Sequence, residues 1–358
     1  MKNILVVSYY SGENTAVGSR RINALHKFLN NKGYKADLES LKNKNDFFFE
    51  IQKLKNTWKK IFSPSQYFRT FDKTVFSKSI FTIAKKHIKS KKKYDLVIAS
   101  YKPSWSIVLG IILSKIYRAK LILEYRDLAS LFGRKKRLFF LHQIDVLLDK
   151  ILMSFADHIV VVSPTQKEKL GLITKQNITV IYNGIDGEIR NNLIKITKNK
   201  KLKLFYGGVL SPSRKLDKII SYLETNFIDF ELTVASKNNP IEFGGTNPNV
   251  KYIGYISRSD VDIEIKKSDI LIILEGNNLQ SIENIPAKTF EYLKYFKPIL
   301  ADVHVRSDIM NIINSVDIGI NVNDVDKSIF VLNPNLKNAA KYLRENQFKK
   351  YLTILNEF

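Results

Sequence analysis

The chain has 358 residues, of which 44% are hydrophobic and 26% charged, and a formal net charge of +24. That length accommodates two domains, each with its own core, and the absence of cysteine excludes disulfides, thiolate metal sites and a cysteine nucleophile. No apolar run approaches the roughly 18 residues of a membrane span, and the start runs straight into a strand. The expectation is a cytoplasmic protein, with a peripheral position on the inner face of the plasma membrane open to it. The charge favours phosphate-rich partners: nucleotides, nucleic acid or an anionic membrane surface.

Residues 4–8 read as a strand. Ile22, Leu25, Phe28 and Leu29 mark an amphipathic helix ended by Gly33, and Ala36, Leu38 and Leu41 alternate as a second strand. Strand, glycine-containing loop and helix predict a doubly wound fold, whose ligands bind at the carboxyl ends of strands. Gly12 and Gly18 fall there without forming the G-x-G-x-x-G fingerprint, so no dinucleotide cofactor is signalled. Gly18, with Ser19 as N-cap, suggests close backbone approach to a ligand; an ordinary capped helix is an equal alternative. Over about residues 47–93 aromatics alternate with lysines, ending in KKHIKSKKK. That pattern suits an anionic membrane surface, and equally an aromatic helix packed on the first domain with a solvated lysine face. No RNA-recognition signature or zinc-finger spacing accompanies it, so nucleic acid is not an expected partner.

Regularity returns with a strand over 96–100, a helix over 104–117 and a strand over 121–124 that runs into Tyr125, Arg126 and Asp127. An arginine and carboxylates at a strand's carboxyl end can orient an acceptor hydroxyl or take its proton, or simply pair with one another. A basic helix from about Arg134, a strand over 158–163, a helix over 164–170, a strand over 178–182 and an Asn183-Gly184 turn follow. Residues 187–201 read as a lysine-rich linker. FYGGVLSPSRKL then opens a second strand-loop-helix series, with Gly207 and Gly208 after the strand and Arg214 placed to clamp a phosphate.

Strands over 231–235, 250–253 and 270–274 alternate with helices. In the stretch 271–301, Pro286 is predicted in the first turn of a helix over 287–295. Its terminal amides, with Lys288 and Thr289, suit a diphosphate, while Glu291 one turn in and Glu283 in the preceding loop can accept bonds from hydroxyls on either side. A sugar nucleotide has that layout; plain helix-dipole complementation by glutamate is the competing account. Residues 335–358 read as helical, with Ala339, Leu343, Phe348, Leu352 and Leu355 on one face. Asp-x-Asp occurs at Asp260/Asp262 and Asp324/Asp326, too short a motif to read as a metal site.

In order, YYSGENTAVGSRRINALHKFL, KLILEYRDL, ADHIVVVSPTQKEKL with IYNGID, FYGGVLSPSRKLDKII and ENIPAKTFEYLKYFKPILA resemble the retaining glycosyltransferases of family GT4, over nearly the whole chain. The resemblance implies an α/β protein of GT-B architecture, two doubly wound Rossmann-like domains facing across a cleft. Its parts would be an acceptor-side domain over 1–186 that includes the basic aromatic insertion, the linker 187–201, a nucleotide-sugar domain over 202–334, and a terminal helix over 335–358 packing back toward the first domain. The implied activity is retaining transfer of a sugar from a nucleotide diphosphate sugar to a hydroxyl of a saccharide, lipid-linked, in cell-surface polysaccharide synthesis, with no metal and no cofactor. Glu283 and Glu291 match the family's glutamate pair, the first near the donor sugar and the second on the ribose. Arg214 and the Lys288-Thr289 helix start would hold the diphosphate, with Gly18 and Gly208 beside it, and Arg126 and Asp127 join Glu283 as candidate catalytic residues. Two departures stand out: Val209 where many members carry a second arginine, and Arg126-Asp127 where many show His-Asp. The other classes open to the sequence are a non-catalytic basic protein that binds membrane or nucleic acid, and a sugar-nucleotide epimerase of the same architecture.

Overall fold

The computed structural model describes residues 2–10, 17–41, 78–101, 103–128, 139–190, 196–197, 200–276, 281–324 and 328–358. The aromatic stretch 47–77, the expected helix start near Arg134, Gly12 and much of the expected linker lie outside them. The chain divides into two compact units, Met1–Tyr182 with Phe348–Phe358, and Asn183–Gln347.

In the first unit β1 (Asn3–Tyr10), β2 (Lys35–Leu41), β3 (Leu96–Tyr101), β4 (Lys120–Tyr125), β5 (His158–Val161) and β6 (Ile178–Val180) form a parallel sheet in the order β2-β1-β3-β4-β5-β6. Strands of such a sheet are covered on both faces, which is why LVIASY of β3 is buried at every position. One face carries α2 (Lys78–Ile88), α3 (Ser104–Tyr117), α4 (Phe139–Ser154) and α5 (Pro164–Gly171) through Ile80, Ile83, Trp105, Leu113, Met153 and Leu170. α3 approaches β3 so closely that a Cβ on Gly110 would lie 2.3 Å from that of Ala99. The other face packs α1 (Val17–Asn31) through Ile22, Leu25 and Leu29, together with Phe348, Tyr351, Ile354 and Leu355 from the end of the chain. α1 begins before Gly18, so Gly18 and Ser19 lie in its first turn and Ser19 is not its cap. Gly33, at φ 86°, follows its end.

The second unit repeats the plan with β7 (Leu202–Gly207), β8 (Phe230–Ala235), β9 (Val250–Gly254), β10 (Ile270–Gly276), β11 (Ile299–Val303) and β12 (Gly319–Asn321), ordered β12-β11-β10-β7-β8-β9 and all parallel. Helices α6 (Asp217–Thr225), α7 (Arg258–Lys267), α8 (Ala287–Tyr295) and α9 (Asp308–Val316) connect them. Strand order reverses between β7 and β10. At such a switch point the loops diverge to opposite faces and leave a crevice outside the carboxyl ends of the strands.

The predicted terminal helix is broken into α10 (Leu336–Ala340) and α11 (Arg344–Asn356). Residues 341–343 instead pair with Ile185, whose N–H donates to the Tyr342 carbonyl at 2.7 Å while Arg344 N–H donates to the Ile185 carbonyl at 2.8 Å. The buried face therefore differs from the predicted one: Tyr351 and Ile354 join Phe348 and Leu355, whereas Leu343 and Leu352 are half-buried.

Candidate functional site

The switch point of the second sheet collects most of the candidate residues. β7 delivers Tyr206, fully buried, followed by Gly207 and Gly208. The Tyr206 hydroxyl donates to the Val209 carbonyl at 3.0 Å, and Asn238 holds the Leu210 carbonyl at 2.9 Å. The chain then closes a tight turn over Pro212, with Arg214 N–H donating to the Ser211 carbonyl at 2.8 Å, and this fixes where the Arg214 side chain leaves the backbone. Its guanidinium pairs with Glu275.

Glu275 ends the apolar run of β10. The ladder to β11 pairs Leu274 with Asp302 and Gly276 with Val303, so Glu275 is the extra residue of a bulge, and Gly276 follows at φ 79°. Bulges of this kind re-aim a side chain at the end of a strand. The Glu275 side chain is 2% exposed, and its Oε1 accepts from both Arg214 and the Asn284 amide.

α8 completes the cluster. Pro286, at ψ 149°, is the extended residue before the helix rather than part of its first turn, and its own side chain offers the helix no capping hydrogen bond. Lys288 reaches back to Gly208, with Nζ 4.5 Å from the Tyr206 ring centroid, a cation–π distance; a Cβ on Gly208 would stand 2.6 Å from that nitrogen. Burial lowers the Lys288 ammonium to about pH 8; Glu275 and Glu291 oppose the shift and Arg214 adds to it. Tyr292 is buried beneath Gly207, and burial raises its phenol well beyond the usual range. Thr289 is fully buried, and its hydroxyl has no hydrogen-bond partner among the described residues. Glu291, 12% exposed, pairs with Arg258 at the start of α7 at 2.6 Å. Glu283 is half-buried in the turn before α8, which Asp308 N–H anchors through the Ile282 carbonyl at 2.8 Å.

The second unit therefore brings Gly208, Arg214 and Lys288 into one constellation with Glu291 on the same helix, and it sets Glu283 next to the Asn284 that binds Glu275. The position of the missing arginine, Val209, is half exposed, and Lys288 supplies a second cation beside Arg214. A fixed guanidinium, a half-buried ammonium and a helix start that opens on a proline suit a bound diphosphate.

The remaining candidates belong to the first unit. Gly18 lies in the first turn of α1, and Arg126 and Asp127 follow β4. Of the carboxylates at that strand end, Glu124 is completely buried and pairs with Arg21, whose other nitrogens donate to the carbonyls of Tyr182 at 2.6 Å and Ile181 at 3.0 Å. Arg126 shares this cluster: burial lowers its pKa and Glu124 opposes the shift, while Asp127 is exposed. Among the described residues no group of three His, Cys, Asp or Glu side chains is placed to hold a metal ion. Sequence reasoning passed over Glu275, Asn284, Tyr206 and Arg258. A charge closing an unbroken apolar strand could have marked Glu275; nothing local marks Arg258.

The family model described as Glycosyltransferase Family 4 matches residues 18–188. No curated protein matches the chain in sequence. Among solved structures, a sucrose-phosphate synthase from Thermosynechococcus elongatus aligns with TM-score 0.64 and 11% identity over 100% of this chain and 99% of its own. A glycosyltransferase from Rickettsia africae gives 0.59 and 15% over 99% and 98%. The lipopolysaccharide outer core galactosyltransferase WaaB, in its apo form, gives 0.58 and 12% over the whole of both chains. At such identities the likeness is one of fold, here GT-B.

Proposed function

We propose that this chain, whose residues 18–188 match the Glycosyltransferase Family 4 model and which has the GT-B fold, transfers a sugar from a nucleotide diphosphate sugar to a hydroxyl of a saccharide, with retention. One observation carries the reading: at the switch point of the second sheet Lys288 lies against Gly208 within electrostatic reach of Arg214, which Glu275 holds. Breaking the bond between the sugar's anomeric carbon and the diphosphate develops negative charge on the leaving oxygen. Arg214, Lys288 and the amides of the α8 start stabilise that charge, Glu291 holds ribose hydroxyls and Glu283 the donor sugar. The acceptor oxygen bonds to the anomeric carbon from the leaving-group face and its proton leaves with the diphosphate. Arg126 and Asp127 are proposed to serve the acceptor, and no metal is assigned a part.

The acceptor proposed is a lipid-linked saccharide of cell-surface polysaccharide synthesis, met by a cytoplasmic protein at an anionic membrane surface. Supporting this, α2 buries Ile80, Ile83 and His87 but leaves Phe81 74% and Ile88 67% exposed among Lys85, Lys86 and Lys89, with Lys91, Lys92 and Lys93 following. Clustered lysines near an anionic surface contribute about 1 kcal/mol each. Among the described residues no helix is long and apolar enough to cross a membrane. Binding to anionic liposomes at moderate salt that is lost on neutralising the lysines of 85–93 is the expected result; binding that survives the substitution removes this segment as the anchor.

The site is tested by turnover of a panel of UDP-, GDP- and other nucleotide sugars, chosen by the thermal protection each confers. Arg214→Ala, Glu283→Ala and Glu291→Ala should each depress transfer, and full activity in all three overturns the assignment. Product analysis separates transfer from epimerisation.

A further inference from the structure

We propose that Glu275, which belongs to no motif in the chain, is the positioning residue of the second unit's phosphate site: it ties the Arg214 turn to the turn carrying Glu283, and its charge keeps Arg214 and Lys288 together when no ligand is bound. The inference rests on the donor reading above for its ligand, but not for its geometry.

Three observations place Glu275 in this role. The bulge between Leu274 and Gly276 releases it from the β10–β11 register, so its carboxylate reaches elements that no regular strand residue would meet. Oε1 accepts from two segments at once, from Arg214 after β7 and from Asn284, the neighbour of Glu283, before α8. Burial at 2% exposure keeps water from competing for those bonds.

The electrostatics supply the reason for a carboxylate inside an anion site. Two cations in a low-dielectric pocket repel each other, and the one able to lose its proton does so; for an ammonium beside a guanidinium that is the lysine. Among the described residues four groups bear on Lys288: Glu275 from β10, Arg214 from the turn after β7, Glu291 from its own helix, itself paired with Arg258, and the Tyr206 ring from β7. Glu275 is the buried anion among them that also touches Arg214. It uses one edge of the guanidinium, and Arg214, whose side chain is 30% exposed, keeps its remaining donors for phosphate. A diphosphate entering the site then takes over the neutralising role from Glu275 without either cation having to move.

The test uses the full chain without ligand and then with inorganic pyrophosphate as probe. Trace acetylation of Lys288, followed by mass spectrometry across pH 6 to 10, should give a midpoint near pH 8 in the native protein. In Glu275→Gln, which preserves shape and an acceptor oxygen, the midpoint should fall by at least about half a pH unit, a threefold loss of proton affinity; an unchanged midpoint overturns the proposal. Asn284→Ala removes one tether and no charge. It should leave the midpoint in place while raising the donor KM about tenfold at unaltered thermal stability, and an unaltered KM refutes the tether. Should Glu275→Gln not fold, Glu275→Asp keeps the charge but is too short to reach both partners. It should then hold the midpoint and raise KM as Asn284→Ala does, and a shifted midpoint refutes the assignment. Failure of pyrophosphate to bind the native protein at any pH counts against the donor reading, whereas the acetylation midpoints decide the role of Glu275 regardless.

Discussion

Replacing Gly208 by alanine should separate binding from folding. The added Cβ would meet Lys288 Nζ at 2.6 Å and the Tyr206 hydroxyl at 3.0 Å, both the far ends of side chains rather than backbone. Gly208 is not among the glycines held at positive φ, so alanine brings no conformational strain there. The cheapest relief is for Lys288 to swing away from the Tyr206 ring into solvent. Folding then loses a cation–π contact worth about 0.5–2 kcal/mol and regains hydration of the ammonium, so thermal unfolding should shift little. Binding loses a charge-assisted contact worth about 1.5–3 kcal/mol, which at 1.4 kcal/mol per decade is roughly 10- to 150-fold in diphosphate affinity. Calorimetric titration with pyrophosphate and with the best-protecting nucleoside diphosphate measures this directly. Because the alanine acts through Lys288, the double variant Gly208→Ala/Lys288→Met should bind no worse than Lys288→Met alone. Additive losses, or an affinity equal to the native protein's, would refute the placement of Lys288 over the glycine.

Three further outcomes follow from the same geometry. With Lys288 titrating near pH 8 in the empty site, it is a cation below that pH and neutral above it, so diphosphate affinity should be flat below about pH 7.5 and fall roughly tenfold per pH unit above 8; the fall should vanish in Lys288→Met. Arg21→Met strips a completely buried Glu124 of its cation and should destabilise the first unit by about 3–5 kcal/mol, measured by denaturant unfolding, with partial rescue by Glu124→Gln. Gly184→Ala places a Cβ 2.7 Å from the Arg344 backbone at φ 72°, so it should cost at least about 1–2 kcal/mol and speed hydrogen exchange at Ile185 and Arg344, whose amides make the adjoining pairing.

The sequence by itself determined the strands and most of the helices, because a parallel sheet covered on both faces demands unbroken apolar runs such as LVIAS and LIIL, and amphipathic spacing such as Ile22, Leu25 and Leu29 is a local property of the chain. It also marked Gly208, Arg214, Lys288 and Glu291 as candidates, because a glycine after a strand and a cation at a helix start carry their chemistry in their immediate neighbours. Tertiary structure decided the rest. The break at 341–343 is invisible locally because its cause is Ile185, far away in sequence. Glu124 beside Arg126 and Asp127 read as part of a polar junction until Arg21 of α1 proved to hold it. The neighbours of Lys288 across the sheet were equally hidden. Only the packing of α8 against β7 lays it on Tyr206 beside Gly208, and only a bulge in β10 turns Glu275 toward Arg214. Spacing along a chain fixes which face a residue occupies; which charge stands opposite is fixed by strand order, and here β7 and β10, distant in sequence, are neighbours in the sheet.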